Sequence, residues 1–279
     1  MISINITDEY VEPVTNLLAT YTNGSIYYTS LSEFINRTKV EICLEDPIDS
    51  NNFEFINIGV NLLKAFDKNI NLNVSDINEK SLTEFMNHAG EATMIDDLTI
   101  LPKSSRQNIS SSKTIFIKPG VGFGTGKHPT TKQCIRQIYN IDNGYVLDIG
   151  AGSGILSIVS CLHGARKCVA IENDELAINN AIYNIKVNNM EDKIDLLNIN
   201  FENYNTSNLF DTILANVDHT FLLNHLDNLK KLLKSEGNLI ISGFKKNMQN
   251  NILNLYGEFF NILEITEEND WVCFRMLKK

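Results

Sequence analysis

Apolar and polar positions run with two different rhythms along the chain, and the change of rhythm divides it. Over the first hundred residues short strand-like runs, Ile2–Ile6, Thr38–Leu44, Asn71–Val74 and Leu98–Leu101, are interleaved with helical patterns around Glu9–Thr20 and Asn52–Phe66. That interleaving predicts a small α+β unit with a split βαβ, ferredoxin-like sheet over residues 1–101. Residues 102–113, rich in serine and poor in apolar side chains, predict a linker.

From Thr114 to the end, residues 114–279, strand and helix patterns alternate regularly. Strands are expected at 114–118, 145–149, 167–172, 193–198, 212–215 and 238–242. Helices are expected from Thr130, over 154–162 closed by Gly164, from Asp174 to about Asn188, and over His219–Leu233. Such alternation predicts an α/β, doubly wound, mostly parallel sheet. Two late runs, Phe259–Ile265 and Trp271–Leu277, read as an antiparallel edge.

The most informative stretch lies inside this second region. Val146-Leu-Asp-Ile-Gly-Ala-Gly-Ser-Gly-Ile-Leu-Ser157 places Gly150, Gly152 and Gly154 between a buried strand and a helix. Glycines there tolerate φ > 0 and allow backbone N–H groups to lie against a ligand at a helix N-terminus. Glu172 closes the next strand 22 residues after Gly150, where an acid accepts ribose hydroxyls. A dinucleotide fingerprint requires glycine at 155, which is Ile155, and Asp148 is a carboxylate suited to a free amino group. Asp-x-Gly-x-Gly-x-Gly resembles motif I of the class I S-adenosylmethionine-dependent methyltransferases.

Composition narrows the partners. With 43% apolar and 21% charged residues, the 279-residue chain suits a globular protein with a full core. It lacks both an apolar run near the ~18 residues that span a bilayer and a signal-like N-terminus, so a cytoplasmic protein is expected. Five scattered cysteines without a Cys-x-x-Cys predict neither a disulfide framework nor zinc. The net charge of −10 is concentrated: residues 1–100 hold sixteen Asp or Glu against five Lys or Arg. That field disfavours nucleic acid and favours a basic protein substrate, or serves solubility alone.

A second glycine loop, Lys118-Pro-Gly-Val-Gly-Phe-Gly-Thr-Gly-Lys-His-Pro-Thr-Thr131, leads into a helix that Thr130 or Thr131 is expected to cap. It is not a phosphate loop, which requires glycine at 121 and Ser or Thr at 128, where this chain has Val121 and His128. Phe-Gly-Thr-Gly-x-His-Pro-Thr-Thr followed by the glycine strand resembles the ribosomal protein L11 methyltransferase family, over roughly residues 113–279. Leu214-Ala-Asn-Val217, Ile241-Ser-Gly-Phe244 and Asp270-Trp-Val272 extend the resemblance.

The resemblance implies a seven-stranded methyltransferase sheet, S-adenosyl-L-methionine as cofactor, and contacts to it from Phe123, Gly124, Thr125, His128, Asp148, Gly150, Gly152 and Glu172. It also implies Asn216 as an active-site asparagine touching both cofactor and substrate. The implied activity is methylation of lysine, and of an N-terminal amine, in a basic protein such as ribosomal protein L11. The implied enzyme is a monomer without metal or membrane. Lys127 stands where the family has a small residue, and the N-terminal unit lacks the family's tryptophans, the only one being Trp271.

Asn216-Val-Asp-His219 lacks the proline and tyrosine of enzymes that stack a nucleobase amine, so an aliphatic amine is the expected acceptor. Asp218 and His219 either move a proton or cap the following helix. Asn200 ends a strand near the expected adenine edge. His88, His163 and His225 have no partners at metal-ligand spacing. A small-molecule methyltransferase and a nonenzymatic S-adenosylmethionine-binding module remain as alternatives.

Overall fold

The computed structural model describes residues 2–7, 10–11, 14, 17–18, 24–30, 37–44, 50–74, 92–101, 113–118, 126–142 and 144–279. They fall into two compact units, the first built on Met1–Glu91, the second on Ala92–Lys118 and Gly122–Lys279.

In the first unit β1 (Ile2–Thr7), β2 (Gly24–Ser30), β3 (Arg37–Leu44) and β4 (Asn71–Val74) pair antiparallel in the order β2-β3-β1-β4. Period-two alternation puts Ile2, Ile4 and Ile6 of β1 on one buried face. There they join Val40, together with Ile56 and Val60 of α1 (Ser50–Leu63). Strand β2 was not anticipated, and the helix expected around Glu9–Thr20 falls mostly outside the described residues.

The second unit opens with β5 (Thr93–Ile95), β6 (Leu98–Leu101) and β7 (Lys113–Phe116), a separate three-stranded sheet. The sequence had placed Leu98–Leu101 with the first unit and 114–118 in the doubly wound sheet. Instead β6 pairs in parallel with β7 and antiparallel with β5. All four β6 residues are buried, so this strand needs cover on both faces, which an isolated surface strand lacks.

The large sheet has seven strands in the order β10-β9-β8-β11-β12-β14-β13. They are β8 (Tyr145–Ile149), β9 (Lys167–Glu172), β10 (Ile194–Asn198), β11 (Phe210–Asn216), β12 (Leu233–Lys245), β13 (Phe260–Glu268) and β14 (Trp271–Lys278). The first five are parallel, and β14 runs antiparallel between β12 and β13. Helices α2 (Pro129–Tyr139), α3 (Ile155–Leu162) and α4 (Glu175–Val187) contribute to one core. Helices α5 (His219–Leu232) and α6 (Gln249–Gly257) contribute to the other. α6 was missed in the sequence, although Ile252 and Tyr256, one turn apart, are its buried face. The strand order reverses between β8 and β11, the place where open parallel sheets leave a crevice beyond their carboxyl ends.

Candidate functional site

At the end of β8 the chain turns through Gly150 (φ 66°), Gly152 (φ 55°) and Gly154 (φ 77°), all left-handed, and Gly154 is the N-cap of α3. A Cβ on Gly150 would stand 2.8 Å from Val217 Cγ1, so glycine there also makes room for the neighbouring strand end. The expectation that these N–H groups face a ligand needs correcting. Gly150 and Ala151 donate to Ile171 O (2.9 and 3.0 Å), Gly154 to Ala151 O (2.8 Å), and Gly152 to Glu172 Oε2 (2.8 Å). Ala151 to Gly154 are buried and have to satisfy their own donors, and the end of β9 lies within reach.

Glu172 is the hub of that arrangement. Besides Gly152, its carboxylate accepts from the N–H groups of Asn173 (2.8 Å) and Asp174 (3.0 Å). It therefore fixes the glycine loop and the start of α4 together while remaining at the carboxyl edge of the sheet. Asp174 caps α4 through Ala177 N–H (2.8 Å). Asp148 is 1% exposed, accepts from Ser157 Oγ (2.6 Å), and has its pKa raised to about 6 by burial, with the Ser157 bond opposing. Ser157, just inside α3, thus supports the aspartate near the end of β8.

Asn216 ends β11 directly beside the glycine loop, because Ala215 and Ile149 are register partners. Its Oδ1 is buried with no hydrogen-bond partner. At a strand end beside the glycine loop, an acceptor without a protein partner is available to a ligand donor. The next residues are held by β12: Val217 N–H donates to Ser242 O (3.1 Å), and Gly243 (φ 97°) lies so close that a Cβ would collide with the Val217 carbonyl oxygen. Glycine at 243 is what lets the Asn216 segment dock, a role the Ile241-Ser-Gly-Phe244 motif did not disclose. Asp218 caps α5 by accepting from Thr220 and Phe221 N–H at Oδ1 (2.8 and 3.2 Å).

Among the residues carried over from the second glycine loop, Phe123, Gly124 and Thr125 lie outside the described residues. His128 is described, and it rather than Thr130 or Thr131 is the N-cap of α2, with Pro129 at the first helical position. Its Nδ1 meets Thr130 Oγ1 at 2.8 Å, and its ring packs edge-on against Trp271 at 4.9 Å. Burial, helped by Lys132 and Lys245, lowers its pKa to about 4, so the ring is neutral at physiological pH.

Two asparagines that the sequence reading passed over hold the approach to this loop. Asn188 accepts from Phe116 N–H (2.9 Å) and donates to Phe116 O (2.7 Å), supplying β7 with the partners a further strand would give. Asn184, fully buried, accepts from Lys118 N–H (2.8 Å) and donates to Ser153 O (2.9 Å), which ties the lead into one glycine loop to the backbone of the other. Spacing of four residues on one helix was the available signal. Asn200 bonds Asn173 (2.5 Å), and His225 pairs with Glu202 (3.2 Å). Among the described residues no cluster suits a metal, and no helix is long and apolar enough to cross a membrane.

Comparison with known proteins places the whole chain in one family. The family model described as Ribosomal protein L11 methyltransferase (PrmA) matches residues 1–279, further than the 113–279 over which the motifs resemble it. A protein called ribosomal protein L11 methyltransferase from Thermoanaerobacter pseudethanolicus is 28% identical, covering 100% of this chain and 98% of its own length. One of the same name from Prochlorococcus marinus is 32% identical over 87% of this chain and 84% of its own. A crystal structure of ribosomal protein L11 methylase from Lactobacillus delbrueckii subsp. bulgaricus superimposes with a TM-score of 0.61 at 25% identity, covering 67% of this chain and 98% of that one.

Proposed function

Because the chain belongs to the ribosomal protein L11 methyltransferase family, we propose that it methylates amino groups of ribosomal protein L11, using S-adenosyl-L-methionine as donor. The acceptors in this reading are lysine ε-amines and an N-terminal amine, and the enzyme works as a cytoplasmic monomer. The observation that carries it is the buried, unpartnered Oδ1 of Asn216 beside the glycine loop.

The residues fit the cofactor. Gly150 and Gly152 leave a strand end without side chains, Asp148 offers an anion to an α-amino group, and Glu172 offers a carboxylate to ribose hydroxyls. Phe123, Gly124, Thr125 and His128 complete the set by resemblance. Bound there, S-adenosylmethionine supplies a methyl group activated by its sulfonium. Asn216 accepts one N–H of a neutral amine and so aims the nitrogen lone pair, and orientation of this kind contributes toward the ~7–11 kcal/mol that positioning makes available. The lysine ammonium loses its proton to solvent before transfer.

Incubation with purified ribosomal protein L11 and radiolabelled S-adenosylmethionine is expected to put label in the L11 band. Label only in a small product, or binding without transfer, would replace this reading with one of the two alternatives.

A further inference from the structure

The carboxyl edge of the large sheet reads in one direction. Glu172 ends β9, the glycine loop follows β8, Asn216 ends β11, and β12 and β14 come next in the strand order. Under the reading above the cofactor takes the β9 and β8 side of Asn216, which leaves the β12 and β14 side to the acceptor amine. Lys245 stands on that side. Ser242 is the register partner of Asn216, and three residues further along β12 Lys245 is paired with Trp271. The half-buried Lys245 places its ammonium 5.3 Å from the centre of the Trp271 ring, and Trp271 meets the His128 ring at 4.9 Å.

The neighbouring charges are mostly paired. Lys246 bonds Glu267 (2.9 Å) and donates its N–H to the Asp270 carbonyl (2.9 Å), while Glu268 is held by Arg136 (3.0 Å) and Lys132 (3.7 Å). Asp218 and His219 open α5, and Asp218 Oδ1 accepts two N–H groups at the positive end of that helix. Among the lysines and arginines just named, Lys245 alone has no carboxylate partner within the described residues. Its charge is felt nearby: burial, and after it Lys132 and Lys245, bring the pKa of His128 down to about 4.

Methyl transfer needs a neutral amine, whereas a lysine ordinarily keeps its proton up to a pH of about 10.4. Asn216 Oδ1 aligns the amine and is no base for it. A cation within about 10 Å, across an effective dielectric of about 20, disfavours a second ammonium by on the order of one pKa unit, which is tenfold in neutral amine. We propose that Lys245 is a further residue of the reaction: from its seat on Trp271, its positive charge drives the acceptor lysine toward the neutral amine as the proton passes to water. This rests on the reading above, and the following measurements separate the two.

Full-length Lys245→Met, Lys245→Arg and Lys246→Met are compared with wild type for kcat on purified L11 at saturating cofactor, from about pH 7 to about pH 10.5. Methionine keeps an apolar stem against Trp271 and removes the charge, and circular dichroism checks the fold. Lys246→Met removes an equal charge next door, where Glu267 already balances it. The expected result for Lys245→Met is a kcat lowered about three- to tenfold near pH 7.5, with the deficit closing to within about twofold near pH 10.5, where the amine is neutral in either enzyme. Lys245→Arg should restore the wild-type profile, and Lys246→Met should leave it in place. A deficit of equal size at every pH would make Lys245 a structural residue, and no deficit would make it a packing partner of Trp271 alone. Either outcome would overturn the proposal and leave the L11 reading intact. Wild-type enzyme that fails to label L11 would overturn both.

Discussion

The ends of β8 and β11 are neighbours in the same sheet, and they are built on opposite terms. After β8 the four hydrogen-bond donors at 150, 151, 152 and 154 are consumed within the protein, by Ile171, Glu172 and Ala151. What the loop offers a ligand is shape: left-handed glycines, and the space their absent Cβ atoms leave. After β11 the arrangement is reversed. Backbone groups there are docked on Ser242, Gly243 and the start of α5, and one side-chain acceptor, Asn216 Oδ1, is left unsatisfied in a buried place. Under the proposed function the contrast separates holding from reacting. A site that binds gains from rigidity already achieved, whereas a site that aligns a nucleophile needs a polar atom waiting for it.

The largest effect should come from the reacting side. Asn216→Ala is expected to lower kcat by about 100-fold or more, with affinity for S-adenosylmethionine changed by less than about threefold in calorimetry. If the two fall together, both strand ends bind and the contrast fails. Gly243→Ala comes next. A Cβ at φ 97° against the Val217 carbonyl forces the segment away from β12, costing about 2–3 kcal/mol in urea unfolding. The kcat defect should resemble that of Asn216→Ala in kind, because the asparagine moves with its backbone. An unaltered kcat would show that the docking of Val217 does not position Asn216.

On the holding side, Glu172→Ala removes the acceptor of three backbone N–H groups and, under the proposed function, a charged partner for ribose hydroxyls. Cofactor affinity should weaken by about 1–3 kcal/mol, while kcat at saturating cofactor stays within a few-fold. A kcat loss at saturation exceeding the binding loss would place Glu172 with the reacting groups.

How far the sequence disclosed this contrast differs for the two ends. The glycine loop was legible because φ > 0 has few other solutions than glycine, and Asp148 and Glu172 stand at fixed distances from it in the chain. The parallel sheet and its antiparallel edge followed from alternating periods in the same way. Asn216 was reached through resemblance, since a single asparagine after a strand has no local signature. The supports were barely legible, the four-residue spacing of two asparagines being the only trace. Asn184 and Asn188 bond backbone some seventy residues away, and Gly243 meets a carbonyl brought to it by a neighbouring strand, so the constraint exists only in the folded chain. β6 was misassigned for the same reason: its parallel partner β7 lies beyond an intervening polar stretch. His128 displaced the threonines as helix cap because the proline that follows it fits the first helical position, which puts the cap one residue earlier.

The smallest expected effect tests what the holding side costs the empty protein. Asp148 is buried, and its pKa of about 6 lies above the ordinary 3.8, so folding disfavours its charged form. Below pH 4 the group is protonated whether folded or unfolded, and no penalty arises. Between pH 4 and 6 the folded state keeps a proton that the unfolded state releases, so stability declines as pH rises through that window and the penalty is complete above it. Two pKa units correspond to about 3 kcal/mol. Asp148→Asn removes this cost and keeps an acceptor for Ser157, but it buries an amide N–H₂ whose desolvation costs about 1–3 kcal/mol. The net gain should be on the order of 1 kcal/mol in urea unfolding at pH 7 and should turn into a loss of about 1–3 kcal/mol as pH falls to 4, where the carboxyl penalty is gone and the amide cost remains, with weaker binding of S-adenosylmethionine throughout. In wild type, cofactor affinity should decline below pH 6 as the carboxylate protonates, and in the variant that pH dependence should vanish. A variant less stable than wild type at pH 7 would mean that the buried carboxylate is already compensated without ligand, and the glycine end would then be no more prepared for its cofactor than Asn216 is for its amine.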